Sequence, residues 1–247
     1  MAARSDRHRF DAQEEIKSVI LKRKLPPGAP IPTETELMEE LGISRGSLRE
    51  ALKGLQARGI VDVQHGRGMF VGALSMDSLV DGLIFHGRLD RSRNDLTTAA
   101  ELVAVRDVLE SGLVAQVAAD PDEQLLADLD TCVDDMERAV AAGESFQDAD
   151  RDFHLLLYSR MGNSLVQQLV QAFWTVLDGV RPQLASGISA PEDDVAHHRR
   201  IVERLRARDP DGARAAMTEH FRGTHAWIRT GLGADAATAT GTPATDR

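Results

Sequence analysis

The sequence predicts a mainly α protein in two parts: a small N-terminal domain closed by one β-hairpin, then a larger all-helical bundle. Three observations predict it. Apolar residues recur at helical spacing along most of the chain. Only one stretch, GIVDVQHGRGMFVG, reads as two short strands about a turn. The charge balance also changes partway. Residues 1–72 carry 12 Lys/Arg and 10 Asp/Glu, a net of +2, while the remaining residues carry 17 and 29, a net of −12.

The elements follow in order. Ala12 to Arg23 has Ile16, Val19 and Ile20 on one helical face. The run LPPGAPI breaks that helix, with Pro26, Pro27 and Gly28 forming a turn and Pro30 stiffening the approach to Ile31. Thr33 can cap a second helix, and Glu36 completes a capping box. Leu37 and Leu41 supply its buried side and Gly42 ends it. Ser44 can cap a third helix running roughly from Arg45 to Ala57. Ile60, Val61 and Val63 begin one strand and Met69 to Val71 another, with His65, Gly66, Arg67 and Gly68 in the turn. Helix, tight turn, helix and hairpin make a winged helix-turn-helix.

On the third helix Leu48, Ala51, Leu52 and Leu55 share the inward face, while Arg45 and Arg49 share the opposite one and Lys53 continues their line. Such a helix is fixed by its apolar back and offers long or small polar groups to a DNA major groove. Ser44, Arg45, Ser47 and Arg49 fit that use, since arginine can fork onto guanine and serine or arginine can hold phosphate. Thr33 and Thr35 open the preceding helix, whose backbone N–H groups can take a phosphate. His65, Gly66 and Arg67 at the hairpin tip can border the minor groove.

After Gly72 the texture is helical throughout. Leu79, Leu83 and Ile84 begin one helix, and Ala/Leu-rich stretches follow at about 98–119, 122–142, 146–160, 163–178, 191–208 and 211–230. We therefore expect domains at 1–72 and 73–230, with residues 231–247, small and polar, disordered. Three histidines stand out in this part. Asp150 and His154 lie at i and i+4, stacking a carboxylate and an imidazole on one helix face. His198 and His220 lie on two later helices among apolar residues. Convergence would give three nitrogens and one oxygen, a set suited to zinc, nickel or another divalent ion. Spacing leaves the alternative open that these are hydrogen-bonded core histidines. His197 and His225 are nearby competitors, and His197 points about 100° round the helix from His198.

The block KLPPGAPIPTETELMEELGISRGSLREALKGLQARGIVDVQHGRGMFVG resembles the DNA-binding domain of the GntR family of bacterial transcription regulators. The second part resembles the FCD ligand-binding domain, which would place the chain in the FadR subfamily. The resemblance implies a homodimer reading a short palindromic operator in double-stranded DNA, with a small effector in the helical domain changing DNA affinity. It implies contacts from Arg45, Arg49, His65 and Gly66. The family commonly has Arg where this chain has Thr35, so an altered half-site preference or weaker binding is expected, and Gly46 and Ser47 replace a more usual Thr/Pro pair, which leaves that face less bulky. The FCD pattern of Asp-x-x-x-His, then His-x-x-Ile, then a last His matches Asp150, His154, His198 and His220 in order, implying a metal site. It also matches Arg106 to an effector-facing arginine, whose partner is either the effector's carboxylate or Glu110 one turn along. A sugar acid, hydroxy acid or similar small carboxylate is the implied effector class, and a repressor the default sign.

Other classes fare worse. The single Cys132 excludes an internal disulfide framework and fits a reducing compartment. The charged start MAARSDRHRF leads into no apolar run, and no stretch is apolar enough to span a membrane, so a cytoplasmic protein is expected. A metal-dependent enzyme would need a general base beside its ligands, as in HExxH, and none is present, so we expect no enzyme. A regulator with a purely structural metal, and a nucleoid-type DNA binder, remain the competing expectations.

Overall fold

The computed structural model describes residues 2–73, 75–92, 97–180 and 191–239. The chain divides into two compact units, Met1–Ser78 and Leu79–Arg247.

The first unit holds α1 (Ala2–Lys22), α2 (Glu34–Leu41), α3 (Arg45–Gln56), β1 (Val61–Gln64) and β2 (Gly68–Val71). α1 begins well before Ala12, where the sequence pattern starts it. Each boundary has a local cause. Thr33 accepts from the Glu36 N–H while Glu36 reaches back to Thr33, a complete capping box. Gly42 closes α2 in the left-handed conformation, and the Ser44 side chain accepts from the Ser47 N–H at the start of α3. Ile16, Leu37, Leu48, Ala51, Leu55 and Val61 are buried in one apolar cluster, so all three helices and the hairpin share a core. β1 and β2 are antiparallel, with Val61 opposite Val71 and Val63 opposite Met69. The proline-rich segment adds something unexpected. Gly28 N–H donates to the Val71 carbonyl at 2.8 Å, Ile31 N–H to Met69 at 2.9 Å, and Val71 N–H to Ala29 at 2.8 Å. It thus satisfies the free edge of β2, the side that would otherwise offer unpaired backbone groups. Gly72 lies so close to the Gly59 carbonyl that a Cβ would collide with backbone, at 1.8 Å, which requires glycine there.

The second unit is all helical among the described residues: α4 (Asp77–Ser92, its first two residues falling in the first unit), α5 (Thr97–Ala119), α6 (Glu123–Ala142), α7 (Gln147–Leu157), α8 (Ser164–Val180), α9 (Pro191–Arg206) and α10 (Pro210–Ala239). α5 carries apolar residues on nearly every side and packs along α10. α10 meets α9, α9 meets α6, and α6 meets α7, with α8 against α5 and α7. Phe153, Tyr158, Trp174, Ile201, Met217 and Phe221 are buried in this bundle. The Asn163 carboxamide oxygen accepts from Leu165 and Val166 N–H and starts α8. α10 runs to Ala239, into the segment expected to lack order, and residues 240–247 lie outside the described ones. Among the described residues no helix is long and apolar enough to cross a membrane.

Candidate functional site

Two sets of polar side chains stand out, one in each unit. In the first unit α3 buries Leu48, Ala51, Leu52 and Leu55 and leaves Arg45, Arg49 and Lys53 exposed on the other side. Ser44 and Ser47 are exposed at its start, where their hydroxyls lie 3.0 Å apart. Thr33 and Thr35 are exposed at the start of α2. His65, Gly66 and Arg67 are exposed in the hairpin turn, closed by the Arg67 N–H donating to the Gln64 carbonyl at 2.9 Å. Gly68, at φ 112, holds a backbone conformation that a side chain would strain. Every residue singled out from the sequence for DNA contact in this unit is therefore solvent-facing. The Arg49–Glu34 ion pair was not anticipated: Nε lies 3.3 Å from Oε1, with the arginine side chain 64% exposed. Such an exposed pair is worth about 0–1 kcal/mol, so a phosphate or base edge can replace the carboxylate.

In the second unit Asp150 and His154 project from α7, His198 from α9 and His220 from α10. The structure brings all four together, one ligand atom from each lying within 4.8 Å of the others. His197 and His225 stay outside, and His225 instead meets Asp107 at 3.2 Å. His154 Nε2 is 3.2 Å from His220 Nε2 and 3.4 Å from Asp150 Oδ1, and His198 Nε2 is 3.1 Å from Asp150 Oδ1. The other ring nitrogens fix the tautomers. His154 Nδ1 faces Glu110 Oε2 at 2.5 Å, and His198 Nδ1 faces the Asp194 carbonyl at 2.8 Å. Both acceptors take a proton from Nδ1, so in its neutral form each ring turns its Nε2 lone pair inward, and only a second proton lets Nε2 donate to Asp150.

Lone pairs aimed at one another and at a carboxylate repel unless a proton or a metal ion lies among them. The spacings suit one. Two nitrogens on a tetrahedral zinc ion are about 3.3 Å apart. The residues therefore fit a divalent metal, and the buried His220 Nδ1 has no partner among the described residues to pull its ring elsewhere. Burial opposes charge on Asp150, but hydrogen bonds from His154 and His198 hold its carboxyl well below the usual range. Burial, with the charges of His198 and His154, pushes His220 well down and keeps it neutral. His154 behaves oppositely: burial opposes its charge, yet the Glu110 carboxylate and Asp150 raise it. A metal ion here displaces the proton that His154 would otherwise hold.

Behind His154 lies a feature that spacing did not reveal. Glu110 is completely buried on α5, bridged to Arg106 Nε at 2.7 Å and to His154. Burial works against its charge, but Arg106 and His154 bring it down to about 2. Of the two partners considered for Arg106 the structure shows Glu110, and that bridge uses only one of the guanidinium nitrogens. Its buried Nη2 has no hydrogen-bond partner among the described residues. The guanidinium carbon sits 4.6 Å from the Trp174 ring centre and 5.2 Å from that of Phe221. Those two rings also flank His154, at 5.7 and 6.2 Å.

Comparison with known proteins places both units in described families. Residues 11–71 match the model of bacterial regulatory proteins of the gntR family, and residues 101–223 match that of the FCD domain. The HTH-type transcriptional repressor NanR of Cronobacter sakazakii is 28% identical over 216 residues, 87% of this chain and 82% of that protein. NanR of Enterobacter sp. strain 638 is 27% identical over 228 residues, 90% and 85% of the two chains. Among solved structures, Streptococcus agalactiae GntR is similar at 27% identity with a TM-score of 0.64, covering 88% of this chain and 99% of that one.

Proposed function

Because this chain is a GntR-family regulator with an FCD domain, and such proteins bind DNA rather than catalyse reactions, we propose that it is a FadR-subfamily transcriptional repressor whose operator affinity responds to a small organic acid. The observation that carries the reading is the convergence of Asp150, His154, His198 and His220 beside an arginine with an unfilled buried donor. Zinc is the ion we assign to the four residues, nickel being the alternative. Bound there, the ion would polarise a ligand oxygen. Arg106 would hold the acid's carboxylate through Nη2, and Trp174 and Phe221 would wall off water.

Residues 1–72 are the DNA-binding part in this reading and 73–230 the effector-binding part. Thr33, Thr35, Ser44, Arg45, Ser47, Arg49, His65, Gly66 and Arg67 form the operator surface, all of them exposed. A palindromic operator calls for two copies of the chain. On α5 the exposed Val105 and Val108 offer an apolar face for the second copy, at 55% and 79% exposure. Repression is supported by the NanR relatives, both described as repressors.

The test is fluorescence anisotropy on DNA from the protein's own promoter, with zinc-loaded chain and a panel of sugar acids and hydroxy acids. One acid should weaken operator binding. Unchanged affinity at saturation, with binding of the acid shown separately, removes the regulatory link. A second reading is favoured by the complete burial of His154 and His198: the ion is structural only. Chelation that unfolds the bundle, together with no acid binding, would select it.

A further inference from the structure

The chain Arg106–Glu110–His154 links the proposed effector donor to a proposed metal ligand through one buried carboxylate. Glu110 Oε1 accepts from Arg106 Nε at 2.7 Å and Glu110 Oε2 accepts from His154 Nδ1 at 2.5 Å. All three side chains are buried, Glu110 and His154 completely, so little water screens the interactions. Tyr158 donates its hydroxyl to the Glu110 backbone carbonyl at 3.3 Å, which ties this point of α5 to the end of α7. No other carboxylate meets His154 Nδ1 among the described residues.

Resting on the metal and effector reading above, we propose that Glu110 is a positioning residue that makes metal and carboxylate binding reinforce each other. It orients His154 so that Nε2 faces the ion, and its negative charge strengthens that nitrogen as a donor. Arg106 neutralises part of the same charge. A carboxylate that occupies Arg106 draws the guanidinium's charge to itself and leaves more of Glu110 acting on His154. The metal then binds more tightly. By reciprocity, a metal-loaded centre holds the carboxylate more tightly too. Replacing Arg106 by methionine does to Glu110 what a bound carboxylate does.

The experiment is a zinc titration of the full chain against a competing chelator, in a double-mutant cycle of Glu110→Gln and Arg106→Met. Glu110→Gln is expected to weaken zinc binding roughly 10- to 100-fold, and Glu110→Asp to restore part of it. Arg106→Met is expected to tighten zinc binding about fivefold or more in the natural background and to leave it unchanged beside Glu110→Gln. An equal factor in both backgrounds overturns the link, because Arg106 then acts on the ion without Glu110. Zinc affinity unaltered in folded Glu110→Gln also overturns it. Nitrogen-15 spectra of the histidine rings in the unsubstituted zinc-loaded chain give an independent check should a variant not fold. Metal on Nε2 of His154 with a proton on Nδ1 supports the proposal, and metal on Nδ1 refutes it. If the unsubstituted chain binds no divalent ion, the metal reading itself fails and this inference falls with it. If it binds one and the cycle shows no coupling, this inference alone fails.

Discussion

The exposed face of α3 and the histidine centre of the bundle use the same kinds of side chain in opposite surroundings. On α3 the Arg49–Glu34 pair is solvated, weak and easily exchanged. In the bundle the Arg106–Glu110 pair is buried beside aromatic rings, and neither partner can be lost without leaving a charge stranded. The difference teaches where each part gets its selectivity. On the proposed reading the outer face is free to trade one partner for another along a duplex. The inner centre is preorganised by buried partners, and on the same reading it would answer only to a ligand that replaces one of them.

Salt should separate the two most strongly. Between 50 and 200 mM, operator affinity is expected to fall by a factor on the order of 10³–10⁵ for six to ten phosphate contacts. Zinc affinity, measured over the same range, should change little, because a buried site is poorly screened. A flat operator response would break the comparison at once. Next in size is His198→Ala. The natural chain in zinc at a thousand times its dissociation constant gains about 4 kcal/mol, seen as a raised melting temperature. The variant should gain almost nothing, and an equal rise would take His198 out of the centre.

Leu48→Ala tests whether the two units are energetically separate. Leu48 is fully buried under α3, so its truncation should cost about 2–5 kcal/mol. Operator binding should fall with the stability of that unit while the zinc titration stays as before. Loss of zinc binding as well would show one cooperative body. The smallest effect is expected for Arg49→Ala, about 1–3 kcal/mol of operator affinity if it forks onto a base. Unaltered anisotropy would leave Arg49 as surface only.

Much of the first unit was legible because its signals are local. Thr33 with Glu36, Gly42 and Ser44 set the ends of α2 and α3 through contacts three or four residues apart. The leucines of α3 and the two strands read correctly from their periods. The strand-like pairing of residues 28–31 with β2 did not, since prolines and a glycine suppress the local pattern and the partner lies far along the chain. Asp150 and His154 were legible for the same local reason, being one helical turn apart.

By itself the sequence determined the ends of α2 and α3, the apolar face of α3 and the hairpin turn, because caps, periodicity and glycine conformations act over a few residues; the outer ends of α1 and α10 carry no such signal. Only the tertiary structure decided that α7, α9 and α10 bring their three imidazoles to one point, and that α5 sets Glu110 behind His154. That choice is made by the packing of helices far apart in the chain. The net of such packing, and the tautomer each histidine then adopts, is written in no single stretch of residues.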